Sequence, residues 1–296
     1  MKQLPGLFLL LLFLAFNALA AGVPRAQCFP TEKLPPALRA KSEELLLKAL
    51  DSEALYTLIG GLKPISSGVA SFKFAVRQPD LREIEEARQA LAAWRCGDEL
   101  FADVRHFAQT YEDSKTKQLT RAAEAVLLNL PALSALVSKY TNYFAPYGLT
   151  PHAHPLETLL AIEYSQPGSR WRGYGYLFGF PSYAVEFFVN AGESEQRTGK
   201  FVERDFLSIP TFGAENHQFV WAVPKGYAEQ DEDRAIRARA TEILVAYRER
   251  RARFIGAGKA GVSEMLRDWF DDGKGFCLPS NAMKPKAKAA KPHGGN

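Results

Sequence analysis

The first twenty residues constrain everything that follows them. MKQLPGLFLLLLFLAFNALA carries a lysine near its start, an apolar run from Leu7 to Phe16, and small residues at Ala18 and Ala20, the pattern of a secretory signal cut after Ala20. A chain that folds after export meets an oxidising compartment, where its cysteines can pair. The rival reading is an uncleaved anchor, since Leu4 to Ala21 is uncharged and lies at the short limit for a spanning helix. The small-x-small site directly after the apolar run favours cleavage. No later stretch could span a membrane, and Cys28 follows Arg25, Ala26 and Gln27, the wrong surrounding for a lipid-anchored cysteine. The expected location is periplasmic or secreted, with no stable membrane span once the signal is gone.

Three cysteines then remain, Cys28, Cys96 and Cys277, enough for one bridge and one odd thiol. Chain termini often lie close together at a surface, which favours Cys28 with Cys277 and leaves Cys96 as a buried thiol at a helix end. The net charge of +4 does not signal an acidic partner, because Lys2 leaves with the signal and Lys284, Lys286, Lys288 and Lys291 sit in the Pro-, Ala- and Lys-rich tail. Residues 278–296 are accordingly expected to form a disordered basic tail, behind a near-neutral body. The arginines of the last long helix alternate with acids, so no nucleic-acid partner is expected.

Between signal and tail, residues 21–277 show no linker and read as a single domain. Pro35-Pro36 opens a helical stretch ending at Gly60-Gly61, and Phe72, Phe74 and Val76 alternate as in a half-buried strand. Leu81, Ile84, Ala87, Leu91 and Trp94 recur at helical spacing. Residues 99–112 and 118–129, joined by the polar DSKTK turn, predict a hairpin, although QLTRAAEAVLLN also suits a helix. Helices are predicted over 133–147, from Pro155, from Pro181, over 229–254 and through GVSEMLRDWF, with a second strand pair at KFVERDFLSIP and HQFVWAVPKG. The sum is an α+β fold: an antiparallel sheet of about five strands packed against several helices.

The stretch from Pro151 to Gly192 concentrates the candidate chemistry. His152, His154 and Glu157, with His217 further along, could converge on zinc with one position open for water. Against this, Pro155 starts a helix, which puts His154 at its cap and Glu157 in its first turn. An acid–base site could use Glu157 or Glu163 with Arg172, Tyr174 or Tyr176. The two glutamates are six residues apart and face different sides of one helix, so each reads instead as a surface carboxylate. Trp171, Tyr174 and Tyr176 could form a platform for a sugar or peptide, although aromatics this dense more often fill a core. GYGYLFG misses a dinucleotide-binding spacing by one residue, and its glycines read as turns among packed rings.

Ser114 to Lys117, Tyr140 to Asn142 and Arg197 to Gly199 follow the order of the SxxK, YxN and K/R-T-G series of penicillin-recognising serine enzymes. Here SxxK lies in the polar run EDSKTKQ instead of opening a buried helix, which argues against that chemistry. The favoured reading is an exported, non-catalytic binding or accessory protein of the cell envelope, taking a small-molecule, glycan or peptide ligand and no cofactor. The alternative is a zinc-dependent hydrolase using His152, His154, Glu157 and His217.

Overall fold

In the computed structural model, residues 22–215 and 218–278 are described. The expected signal, residues 1–20, and nearly all of the expected tail lie outside them. The described chain begins with β1 (Val23–Pro24), then runs through α1 (Pro36–Asp51), α2 (Leu55–Leu58), β2 (Ile65–Ala75) and α3 (Arg82–Leu91) to a long hairpin, β3 (Leu100–Glu112) and β4 (Leu119–Asn129). Five helices follow: α4 (Leu130–Lys139), α5 (Thr141–Phe144), α6 (Pro155–Glu163), α7 (Pro167–Leu177) and α8 (Ser182–Thr198). The strand pair β5 (Arg204–Ile209) and β6 (Phe219–Pro224), α9 (Asp231–Phe254), α10 (Val262–Phe270) and β7 (Phe276–Cys277) complete it.

The mixed α+β class holds, but the single sheet of about five strands does not. Three separate antiparallel sheets occur among the described residues: β1 with β7, β5 with β6, and a three-stranded sheet in the order β2-β4-β3. The last divides the apolar interior. On β4, Ala123, Ala125 and Leu127 join a core with α1, α2, α3, α9 and α10, whereas Val126 and Leu128 join a second core with α4, α6 and α7. A strand covered on both faces needs apolar side chains at nearly every position, which is why QLTRAAEAVLLN lacks strand alternation and reads equally well as a helix.

The GYGYLFG stretch, expected to turn, is largely helix α7. Gly173 and Gly175 are buried within it, and a Cβ on either would lie 2.5 Å from the Tyr143 hydroxyl or 2.7 Å from Val185 Cγ2. These glycines let α7 lie close against its neighbours, at a helix-propensity cost of about 1 kcal/mol each. Gly179 alone makes a left-handed turn, with φ of +76°.

The cysteine pairing also differs from expectation. Cys28 is bonded to Cys96, and Cys277 is the buried free thiol. The two ends of the described chain do meet, since Val23 pairs with Cys277 across β1 and β7. What sequence position could not decide was which of three sulfurs, all within 4.8 Å of one another, would bond.

Candidate functional site

The sheet order leaves β3 as an edge strand, and its ladder phase determines which backbone groups are free. The Leu130 N–H donates to the Glu99 carbonyl at 2.9 Å, so Phe101, Asp103 and Arg105 exchange bonds with β4. The N–H and C=O groups of Leu100, Ala102 and Val104 therefore point outward. Val104 is occupied: Arg88 Nη2 donates to its carbonyl at 3.3 Å, and its N–H donates to Asp103 Oδ1 at 2.6 Å. Ala102 meets no outward partner among the described residues.

That open edge lines a groove of about 510 Å3, walled by Leu91, Trp94 and Arg95 on one side and by Leu100, Phe101 and Asp103 on the other. A second depression of about 460 Å3 continues it, bounded by Leu133, Ser134, Pro151, His152 and His154. Asp98 and Leu130 belong to both, so the two run together. A third hollow, of about 400 Å3, lies at the hairpin tip among Arg77, Glu112 and Lys117. It is lined by exposed, long side chains and offers no fixed geometry.

Helix α6 ties the groove to a buried charge cluster. At its N-terminus His154 is the cap residue, its Nδ1 accepting the Leu156 N–H at 3.3 Å, and its ring meets Phe101 edge-on at 5.5 Å. At the C-terminal end Glu163 is buried, contrary to the surface role expected from sequence. Its Oε1 accepts the Ala108 N–H at 2.8 Å, and its Oε2 accepts from Arg105 at 3.0 Å and from the Tyr174 hydroxyl at 2.5 Å. Arg105 also donates to its cross-strand partner Glu124 at 2.9 Å.

This cluster sits at a break in the ladder. Between the His106–Ala123 and Thr110–Arg121 pairs, β3 carries two more residues than β4, and a matching excess interrupts β2 between Ser67 and Ser71. The displaced backbone needs other partners: Glu163 takes the Ala108 N–H, and Arg121 donates to the Phe107 carbonyl at 2.6 Å. Burial pushes the Glu163 carboxyl up, but the Tyr174 hydroxyl, the Ala108 N–H and the Arg105 guanidinium together outweigh it and hold it below the usual carboxylate range. Burial drives the Tyr174 phenol well above its ordinary value. The cluster fixes α6 and α7 against β3. The one signal of it in the sequence is Glu124, a lone charge within the apolar run from Ala122 to Leu128 of β4.

The remaining candidates are dispersed. Arg172 makes a two-point pair with Glu186, both contacts at 2.9 Å. Tyr176 is buried, stacks on Tyr140 at 4.0 Å and donates to Glu186 at 3.0 Å. Trp171 meets Phe188 edge-on at 6.3 Å. Trp171, Tyr174 and Tyr176 therefore go to three different sets of neighbours. His152 is exposed on the groove wall, Glu157 is exposed in the first turn of α6, and His217 lies outside the described residues. Among the described residues, Cys28, Cys96 and Cys277 form the one group of three or more whose ligand atoms are close enough to share a metal ion. The Ser114 to Lys117 run is the exposed hairpin turn, and Asp113 caps it by accepting from the Lys115 and Thr116 N–H groups.

No protein-family model matches the chain, and neither does any curated protein or solved structure.

Proposed function

We propose that the chain is an exported, non-catalytic binding protein of the cell envelope, and that its ligand is an extended polypeptide segment lying in the groove along the outer edge of β3. The observation that carries this reading is the outward Ala102 backbone, without a partner among the described residues, in a groove whose walls mix apolar and charged side chains. An added strand satisfies such an edge with main-chain hydrogen bonds, while its alternate side chains enter the flanking hollows. A groove open along a strand edge suits a chain better than a compact small molecule, whose sites enclose most of the ligand. The disulfide agrees with an oxidising compartment. Asp98, Asp103, Arg88 and Arg95 place both charge signs along the walls, which favours a particular order of side chains over simple charge attraction.

The test uses the full mature chain immobilised over a proteolytic digest of envelope proteins, with retained peptides read by mass spectrometry. Ala102→Pro removes the outward N–H alone, and proline is tolerated where a strand's N–H faces away from the sheet. Wild type is expected to retain a defined set of short peptides, and Ala102→Pro to retain them at least tenfold less with an unchanged near-ultraviolet circular dichroism spectrum. Equal retention by both chains, or none by wild type, overturns the proposal.

A further inference from the structure

The three cysteine sulfurs lie within 4.8 Å of one another, all fully buried, yet only two are joined. With Cys28 and Cys96 in a bond, the trio does not offer three thiolates to a metal. It offers a disulfide with a thiol beside it. The surrounding structure holds Cys28 and Cys277 to a common point. Arg267 on α10 donates through Nε to the Cys28 carbonyl at 2.7 Å, and its own carbonyl faces Cys277 Sγ at 3.8 Å. The β1–β7 pairing joins the same two segments a few residues away.

We infer that these residues form an internal thiol–disulfide exchange site in which Cys28 can change partner from Cys96 to Cys277. The Cys277 sulfur, as thiolate, attacks Cys28 Sγ. A Cys28–Cys277 bond forms, the Cys28–Cys96 bond breaks, and its electron pair leaves on Cys96 Sγ, which takes up the proton that Cys277 gave up. One disulfide replaces another, so neither oxidant nor reductant is consumed. The exchange moves the covalent tie from Cys28 and the end of the α3 segment to Cys28 and the β7 segment, joining the first and last parts of the described chain.

The same burial that keeps Cys277 inside slows the step. Burial pushes the Cys277 thiol up to about 11; Arg25 and Arg267 oppose the rise, and Asp271 and Asp272 add to it. The attacking species is the thiolate, so exchange is slow at neutral pH and speeds up by about tenfold per pH unit below that value.

Two measurements on the full mature chain test this. In Cys96→Ser, oxidised and digested under acid quench, the expected linkage is Cys28–Cys277 with no intermolecular dimer. Two free thiols in a chain whose near-ultraviolet spectrum matches wild type overturn the inference. In wild type held between pH 7 and pH 9, alkylation of Cys96 by iodoacetamide is expected to rise with pH. Cys277→Ser, which keeps the original bond and cannot exchange, is expected to show no such rise. Equal Cys96 labelling in the two chains, or a Cys96–Cys277 linkage in wild type, also overturns it.

Discussion

Replacing Arg105 with alanine is expected to lower the unfolding free energy by about 3–5 kcal/mol, the usual consequence of removing one partner from a buried ion pair. The residue is 5% exposed, and its two carboxylate partners, Glu124 and Glu163, are equally enclosed. Without the guanidinium, two carboxylates remain buried near one another, and the Tyr174 hydroxyl, which also accepts from Arg105 Nη1, keeps only its bond to Glu163. Glu163→Gln is expected to cost less, because the amide oxygen can still accept the Ala108 N–H. The loss depends on pH in a definite direction. In wild type the folded Glu163 carboxyl is held below 4.5, so its contribution is present above the unfolded value and disappears as pH falls through the lower folded one. In Arg105→Ala the Glu163 carboxyl loses its cation, its folded value rises, and acid relieves the penalty. Urea unfolding of the two proteins should therefore show the stability gap narrowing from pH 7 to pH 4. A gap that is constant, or that widens in acid, would show that Arg105 acts through packing and not through charge.

The second large effect is expected at Gly179. With φ of +76°, any side chain there is strained, and a Cβ would lie 2.4 Å from the Leu62 carbonyl oxygen, a backbone atom that cannot swing aside. The left-handed conformation costs about 1–2 kcal/mol and the overpacking about 1–3 kcal/mol, so Gly179→Ala should lose about 3 kcal/mol. Gly148 separates the two contributions. It has nearly the same φ, +73°, with nothing within 4 Å of the built Cβ, so Gly148→Ala should lose only the conformational part. Denaturant midpoints of the two variants measure the difference directly. The Gly179 contact also positions the segment before β2. Next to Leu62, the fully buried Lys63 pairs with Glu53 at 2.6 Å and lies 5.3 Å from the Phe178 ring and 4.8 Å from that of Phe219. Displacing Leu62 therefore disturbs a second buried charge.

What the sequence revealed, and what it concealed, follows from the range of the forces involved. Helix α9 was legible because acids crowd its first turn and arginines its last, both local signals, and the β3–β4 hairpin because a polar turn separates two strand-length runs. Helix α7 was hidden: Gly173 and Gly175 weaken local helix preference, and the compensating contacts come from Ile162, Tyr143 and Val185, all outside the helix itself. The cap position of His154 follows from Pro155 at the first helical residue, a local signal, and its Nδ1 accepts the Leu156 N–H. The burial of Glu163 leaves no local mark, because the Ala108 N–H that it satisfies lies far from it in sequence. The sheet was overcounted because strand pairing is non-local, and five strand-like runs do not state that two of them pair only with each other. The edge of β3, which carries the proposed function, depends on ladder phase and strand order, neither of which leaves a mark in local composition.

Hydrogen exchange at the Ala102 amide tests the central claim most directly. Its outward N–H should exchange rapidly in the free chain while the neighbouring Phe101 and Asp103 amides, bonded to β4, stay protected. On saturation with a peptide retained by the wild-type protein, the Ala102 amide should slow by at least tenfold. An Ala102 amide that exchanges at the same rate with and without bound peptide would contradict strand addition along β3 and place the ligand elsewhere on the molecule.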